Sequence, residues 1–410
     1  MMKVLFVTPY LYSEELPGFQ RNRTGFGILL EQMVEHIGSR CELSVFSNVI
    51  TPEARCHEAR VLSHTWSDVF RSAGCKGALA GFGAFFRASG PLSARLRTGY
   101  YRMNCAALRR AIAEWRPDLI HCHGIGTDMR RYYDVCRESG VPTVMTLHGL
   151  IAQLPQVSKA DAMSEITFLR EADAAHWPVS LISSGIKKRL YREPYSLTDG
   201  ASIAVILNGV AMHPAADLPG LREEYGLSAD ALLCVCAGSV CDRKNQAQLV
   251  RAYELLPAEI RGRLHILLAG PIDESYPIRE EIARLTAPSH VHLLGFVPQP
   301  KLLSLYRIAD ITVLPSKDEG FGLSLAESFV QGTPCVTFAD LDAAEDLYDP
   351  CAMLLCHERS DEALSAAMAQ ALETAWDQDA IRRHGRKFSL DAMADRYLAW
   401  YQDCVGEQKC

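Results

Sequence analysis

The sequence holds few of the signs that mark a metal, membrane or nucleic-acid protein. Its 14 cysteines include no C-x2-C pair, so a zinc ribbon or knuckle is not spelled out and a metal site is not expected. Cys234 and Cys236 alternate inside an apolar run, where cysteine acts as a small hydrophobe. His121-x-His123 has the spacing of a metal pair, but no third ligand stands near it. No apolar run approaches the roughly 20 residues of a membrane span. The opening MMKVLFVTPYLY enters a strand and lacks a small-residue cleavage site, so it is not read as a secretion signal. Positive charge is short too. A net charge of -7 argues against a nucleic-acid binder. The expectation is a cytoplasmic protein whose membrane contact, where there is any, is peripheral.

What is present is ordinary in bulk and distinctive in pattern. With 48% hydrophobic and 22% charged residues over 410 positions, two domains are expected rather than one core. The most informative stretch is Ser316 to Phe338, SKDEGFGLSLAESFVQGTPCVTF. An apolar run, Ile311 to Leu314, reads as a buried strand and breaks at Pro-Ser. Gly320 and Gly322 then flank Phe321. From Leu323 the apolar positions Ala326, Phe329 and Val330 follow at helical spacing until Gly332-Thr333-Pro334 stops them. A strand, a glycine turn and a helix N-terminus make a cradle for a phosphate. Glu319 and Glu327 bracket that cradle and could accept hydroxyl hydrogens. A nucleotide sugar has the matching form, polyols at both ends and a diphosphate between.

EGFGLSLAES followed by QGTPCV resembles the E-x7-E motif of retaining glycosyltransferase family 4. The resemblance implies an α/β protein of the GT-B fold, two Rossmann-like, doubly wound domains facing across a cleft. The expected division is an acceptor-binding domain over 1–210, a nucleotide-sugar-binding domain over 211–385, and a last helix over 386–410 that packs back on the first. The proline-bearing segment Val210 to Pro219 is the expected linker and hinge.

Further stretches fit the same family. Lys3 to Thr8 reads as a strand, and Thr24-Gly25-Phe26-Gly27 opens a helix carrying Leu29, Leu30, Met33, Val34 and Ile37 on one face. In the family this turn faces the cleft, so the resemblance makes Gly25, Phe26 and Gly27 cleft or acceptor candidates. Strand-like runs end at His123 and His148, and ligands of doubly wound sheets bind beyond strand carboxyl ends. The TLHG at His148 resembles the family position near the transferred sugar; His123 is a further cleft candidate. Leu232 to Ala237 leads into Gly238-Ser239-Val240-Cys241-Asp242-Arg243-Lys244, a third glycine turn with two cations before a helix. Lys244 matches the family lysine that neutralises the diphosphate. The family usually has arginine where Ser239 stands, and Arg243 is the candidate to supply that charge. HVHLLGFV, up to Phe296 and Val297, resembles the base-recognition segment. Asp340-x-Asp342 follows a late strand, the wrong context for a metal motif, and reads as a loop or cap.

The implied activity is retaining, metal-independent transfer of a hexose-like sugar from a nucleotide sugar, with UDP-sugar the expected donor, to a hydroxyl acceptor. In that reading His148, Lys244 and Glu319 are catalytic. Donor contacts come from Ser239, Arg243, Lys244, Phe296, Val297, Glu319, Gly320, Phe321, Gly322, Leu323 and Glu327. No cofactor is required, and the acceptor is a saccharide, a lipid-linked or small molecule, or a peptide. Two alternatives stay open: another GT-B enzyme such as an epimerase or phosphorylase, and a non-catalytic partner subunit. One region stands outside this scheme. Val69 to Ala113 carries Arg71, Lys76, Arg87, Arg95, Arg97, Arg102, Arg109 and Arg110 with no Asp or Glu, and encloses ALAGFGAFF. It reads either as solvated helices of the first domain or as a patch that docks on anionic lipid or on a phosphorylated or acidic acceptor.

Overall fold

The computed structural model describes residues 1–407 except 23, 63, 88–91, 155–156, 199–202, 214, 216–217, 219 and 229. Part of the expected 210–219 linker and the side chain of Arg97 lie outside the described residues. The chain forms two compact units. Unit 1 comprises Met1–Ile182 and Ile186–Ile206 together with the chain from Ala394 onward; unit 2 comprises Ser183–Gly185 and Leu207–Met393.

Unit 1 is built on the strands β1 (Lys3–Thr8), β2 (Glu42–Ser47), β3 (Ala54–Cys56), β4 (Ala59–Val61), β5 (Leu119–His123), β6 (Thr143–Leu147), β7 (Val179–Leu181) and β8 (Ile203–Val205). They lie side by side in the order β3-β4-β2-β1-β5-β6-β7-β8. All pairings are parallel except β3 with β4. Parallel strands are covered on both faces, so they need continuous rather than alternating hydrophobicity. Val4 to Val7 are accordingly all buried. Helix α1 (Gly25–Gly38) buries the face with Leu29, Leu30, Met33, Val34 and Ile37. The basic stretch forms α2 (Trp66–Arg87) and α3 (Leu92–Trp115); α2 packs along α3, and α3 packs on α4 (Thr127–Glu138).

The Leu390–Glu407 helix starts in unit 2 and from Ala394 is part of unit 1. There Tyr397 and Tyr401 are fully buried. The Tyr401 hydroxyl is 2.6 Å from His121 Nδ1, His121 Nε2 is 2.6 Å from Thr146 Oγ1, and Thr146 Oγ1 is 2.6 Å from Ser180 Oγ. A polar chain thus crosses β5, β6 and β7 inside the core. Such groups are tolerated in an apolar interior because each finds a partner.

Unit 2 holds β9 (Leu232–Ala237), β10 (Leu264–Ala269), β11 (Val291–Gly295), β12 (Ile311–Leu314), β13 (Cys335–Phe338) and β14 (Met353–Cys356). They form an all-parallel sheet in the order β11-β10-β9-β12-β13-β14. Cys234 and Cys236 sit in β9 with no exposure beyond 1%, as small core residues. The described part of the expected hinge is pinned: Gln331 accepts from the Ala215 N–H at 3.0 Å and donates to the His213 carbonyl at 3.0 Å.

Both sheets reverse direction at one seam. From β9 the chain moves outward through β10 and β11, then returns to lay β12 on the other side of β9. In unit 1 the corresponding seam lies between β1 and β5. Helices on the two sides of such a seam diverge and leave a crevice beyond the strand ends, the usual place for ligands in open α/β sheets.

Candidate active site

The unit 2 seam receives the loops after β9 and β12, which carry the predicted cations and acids. β9 runs into Gly238, whose φ of +131° is outside the range other residues favour. A Cβ there would also lie 3.2 Å from Lys244 Cε, because the lysine stem runs across this glycine. Gly270, after β10, is required for a different reason. A Cβ on it would stand 2.1 Å from the Gly238 carbonyl oxygen. Gly270→Ala should push the lysine loop away and cost about 1–3 kcal/mol of stability, as overpacking does; urea unfolding measures it. The loop is also stapled from within. Gln246, fully buried, donates to the Ser239 carbonyl at 3.0 Å and accepts from the Cys241 N–H at 3.2 Å.

Lys244 Nζ donates to Glu319 Oε2, joining the two loops. Both side chains are largely buried, at 12% and 15% exposed. Arg243 Nη1 donates to the Asp318 carbonyl at 2.9 Å and lies 3.7 Å from the same Glu319 oxygen. Both cations therefore converge on Glu319. Ser239, in the arginine position of the resemblance, is exposed on the same loop.

Gly320 and buried Phe321 follow, and Gly322, at φ +81° and ψ +52°, heads the Leu323–Gln331 helix without any side-chain cap. Its first N–H groups, starting at Leu323, begin a helix with nothing but backbone at the cap, and they carry partial positive charge. Glu327 stands on that helix. Its Oε1 accepts from Gln299 Nε2 at 2.7 Å, and burial pushes its carboxyl up to about 7. The buried Tyr306 hydroxyl faces Glu327 and favours its carboxylate, against the larger effect of burial. Gln299 and Tyr306 both come from the Gln299–Ile308 helix. Neither belongs to the motif, and the amphipathic QPKLLSLYRI helix gives no local sign of their role. Phe296 is 55% exposed, and Val297 packs on the unit 2 core. They follow Gly295, where the β10–β11 register shifts and φ is +63°. Its carbonyl accepts from the Gly270 N–H at 2.8 Å.

Unit 1 brings its own candidates together. His148, just beyond β6, lies with Nε2 3.2 Å from His123 Nδ1, and the edge of Phe26 meets its ring at 5.0 Å between centroids. His123 is fully buried among Phe6, His121 and His148, so its strand-end position backs His148 and presents no surface of its own. Burial holds His148 down to about 4 and His123 well below the usual imidazole value. At neutral pH both rings are uncharged. The turn at Gly25 to Gly27 differs from the unit 2 cradle: Thr24 Oγ1 caps it by accepting from the Gly27 N–H at 3.1 Å. Gly27 is fixed by the Asn22 carbonyl oxygen, which a Cβ would approach to 2.3 Å. Asp340 accepts from Arg359 Nε at 2.7 Å, a loop contact. Among the described residues, the acids and histidine that approach closely enough to hold a cation are Glu31, Glu35 and His57, a surface group away from these loops on α1 and the β3–β4 turn.

Two parallel α/β units with glycine cradles at their seams define the GT-B architecture. Solved structures agree: sucrose-phosphate synthase from Thermosynechococcus elongatus superposes with TM-score 0.69 at 18% identity, over 99% of this chain and 100% of that one. A glycosyltransferase from Rickettsia africae also gives 0.69, at 16% identity over 98% and 99% of the two chains. The family model for glycosyl transferases group 1 matches residues 220–388, and that for Glycosyltransferase Family 4 matches residues 53–212. The chain therefore belongs to glycosyltransferase family 4. The O-antigen chain mannosyltransferase B of Escherichia coli is 31% identical over 219 residues, 52% of this chain and 56% of its own length. A D-inositol 3-phosphate glycosyltransferase of Actinosynnema mirum is 29% identical over 328 residues, covering 72% of this chain and 75% of that protein. The chain thus spans little more than half the length of the first of these relatives.

Proposed function

We propose that this chain is an enzyme that transfers a sugar, with retention and without a metal, from a nucleotide sugar to a hydroxyl of a saccharide-type acceptor. The observation that carries this reading is the convergence of Lys244 and Arg243 on Glu319 beside the uncapped helix start at Gly322. A departing diphosphate develops negative charge as its bond to the sugar stretches. Charges fixed in advance stabilise that change without reorganising at the moment of reaction. Lys244, Arg243 and the N–H groups after Gly322 supply such a field. The ion pair with Glu319 keeps the lysine in place until phosphate oxygens arrive to share it. Glu319 then turns to the sugar hydroxyls, and Glu327 accepts from the ribose. The departing phosphate helps take up the acceptor's proton, so no covalent carboxylate is needed. In unit 1, Phe26 meets the acceptor and neutral His148 the transferred sugar.

The names of the relatives widen the donor choice. One is a mannosyltransferase and another a glycosyltransferase of D-inositol 3-phosphate. A UDP-sugar is the first expectation, with GDP- and ADP-sugars beside it. In a thermal-shift screen the true donor at 100-fold its dissociation constant adds about 2.7 kcal/mol to stability. That binding should depend on pH through Glu327. Burial pushes its carboxyl up to about 7, and only the carboxylate can accept from two ribose hydroxyls. Donor affinity should therefore fall as pH drops below about 7, approaching tenfold per unit. Glu327→Gln should flatten the profile, and titration calorimetry reads both. A flat wild-type profile would remove Glu327 from the ribose. Incubation with donor alone separates transfer from epimerisation.

A further inference from the structure

The basic stretch has a second property that the sugar-transfer reading does not use. The helices α2 and α3 expose Leu79 at 71%, Phe82 at 62%, Phe86 at 69%, Leu92 at 62% and Leu96 at 57%. Leu79, Phe82 and Phe86 recur at i, i+3 and i+7, one face of α2, and Leu92 and Leu96 are one turn apart on α3. A solvated surface helix does not concentrate its largest apolar side chains in this way; such a patch marks an interaction site. Phe82 and Leu96 also line an apolar cavity of about 460 Å³, together with Gly81, Phe85, Gly99 and Met103. It belongs to unit 1, and none of the proposed donor contacts lines it.

Charge says what covers this patch. Between residues 69 and 113 there are eight cations and no acid, in a chain of net charge -7. Arg109 and Arg110 are spent on Glu138 and Glu114, from outside the stretch, Arg71 lies 3.9 Å from Asp68, and Arg95 lies over the Phe85 ring. Among the described residues, exposed Lys76, Arg87 and Arg102 have no carboxylate partner. An apolar ridge flanked by free cations matches the interface of an anionic bilayer, where side chains such as Phe and Leu enter the acyl boundary and Lys and Arg meet headgroup phosphates. No described helix is long and apolar enough to cross a membrane. We infer that helices α2 and α3 dock the protein onto an anionic lipid surface, inserting Leu79, Phe82 and Phe86.

The test is flotation of the full chain with phosphatidylcholine vesicles, with and without phosphatidylglycerol. Binding should require the anionic lipid and weaken as salt is raised. Each free cation contributes roughly fivefold, so a Lys76→Gln/Arg87→Gln/Arg102→Gln triple variant should bind roughly a hundredfold more weakly. A Leu79→Ser/Phe82→Ser/Phe86→Ser variant should lose binding while keeping its circular dichroism and its donor-induced thermal shift. Trp66, 52% exposed where α2 begins, supplies a readout on the unaltered helices. Acyl-brominated phosphatidylglycerol should quench part of the fluorescence, and Trp66→Phe should remove that part. Equal flotation with neutral vesicles, no flotation at all, or a dimer dispersed by the serine variant would each overturn the inference. Because docking is scored without sugar transfer, its failure leaves the transferase reading untouched, and the reverse.

Discussion

Lys244→Ala will lose sugar transfer by about a thousandfold while the protein remains folded. Removing one preorganised donor from a developing oxyanion typically costs 10²–10³ in kcat, and here the donor carries a full charge. The variant also leaves Glu319, 15% exposed, with only Arg243 at 3.7 Å to answer it. An acid without its cation repels a diphosphate, so donor affinity should fall together with kcat. Glu319→Gln separates the two effects. It frees the lysine for phosphate but removes the acceptor for the sugar hydroxyls, so donor affinity should hold or improve while kcat falls. Steady-state kinetics with calorimetric donor titration reads this pattern. Undiminished kcat in Lys244→Ala would end the proposed role of the loop pair.

Acid should unfold this protein well before its carboxylates are all protonated. In an unfolded chain imidazoles titrate near 6.5. Burial holds His64 and His148 at about 4, and His121 and His123 well below the usual value. The folded state therefore excludes protons that the unfolded state takes up. Stability is complete above about 6.5 and is lost as pH falls toward the folded values. For His64, 1% exposed, the loss amounts to about 2 kcal/mol at pH 5. The neighbouring imidazoles on β5 and after β6 add to it in the same direction. Against a total of about 5–15 kcal/mol, unit 1 should be close to unfolding at pH 5. Urea titrations at pH 7.5 and pH 5 measure the difference. His64→Gln, which keeps a partner for the Tyr100 hydroxyl 2.8 Å away, should narrow it. Equal stabilities at the two pH values would mean these rings accept protons in place.

Much of this could be read from the chain because glycine, proline and apolar runs are local signals. The strand ending at Leu314, the turn through Gly322 and the helix stop at Gly332 lie where the pattern puts them. The two acids and the lysine were legible as a motif, whereas their meeting depends on β9 and β12 being neighbours, a fact of topology. The direction of Arg243 was not legible, since a long side chain in a loop is aimed by tertiary contacts such as the Asp318 carbonyl. Gln299 escaped for the same reason: it meets Glu327 from a different helix. His123 was read as facing a ligand because it ends a strand. Residues alternate faces along β5, but both faces of this sheet are covered, so alternation alone does not tell ring from solvent.

The Leu390–Glu407 helix gives the folding history of the molecule an unusual order. Its Tyr401 hydroxyl closes the polar chain that begins at His121. During synthesis, domains generally mature from the N-terminus as they emerge. Here the half made first waits, with a buried imidazole still short of its partner, until Tyr401 has been synthesised. A stop codon between Met393 and Tyr401 would thus take the partner of His121 from the portion translated first and leave unit 2 whole.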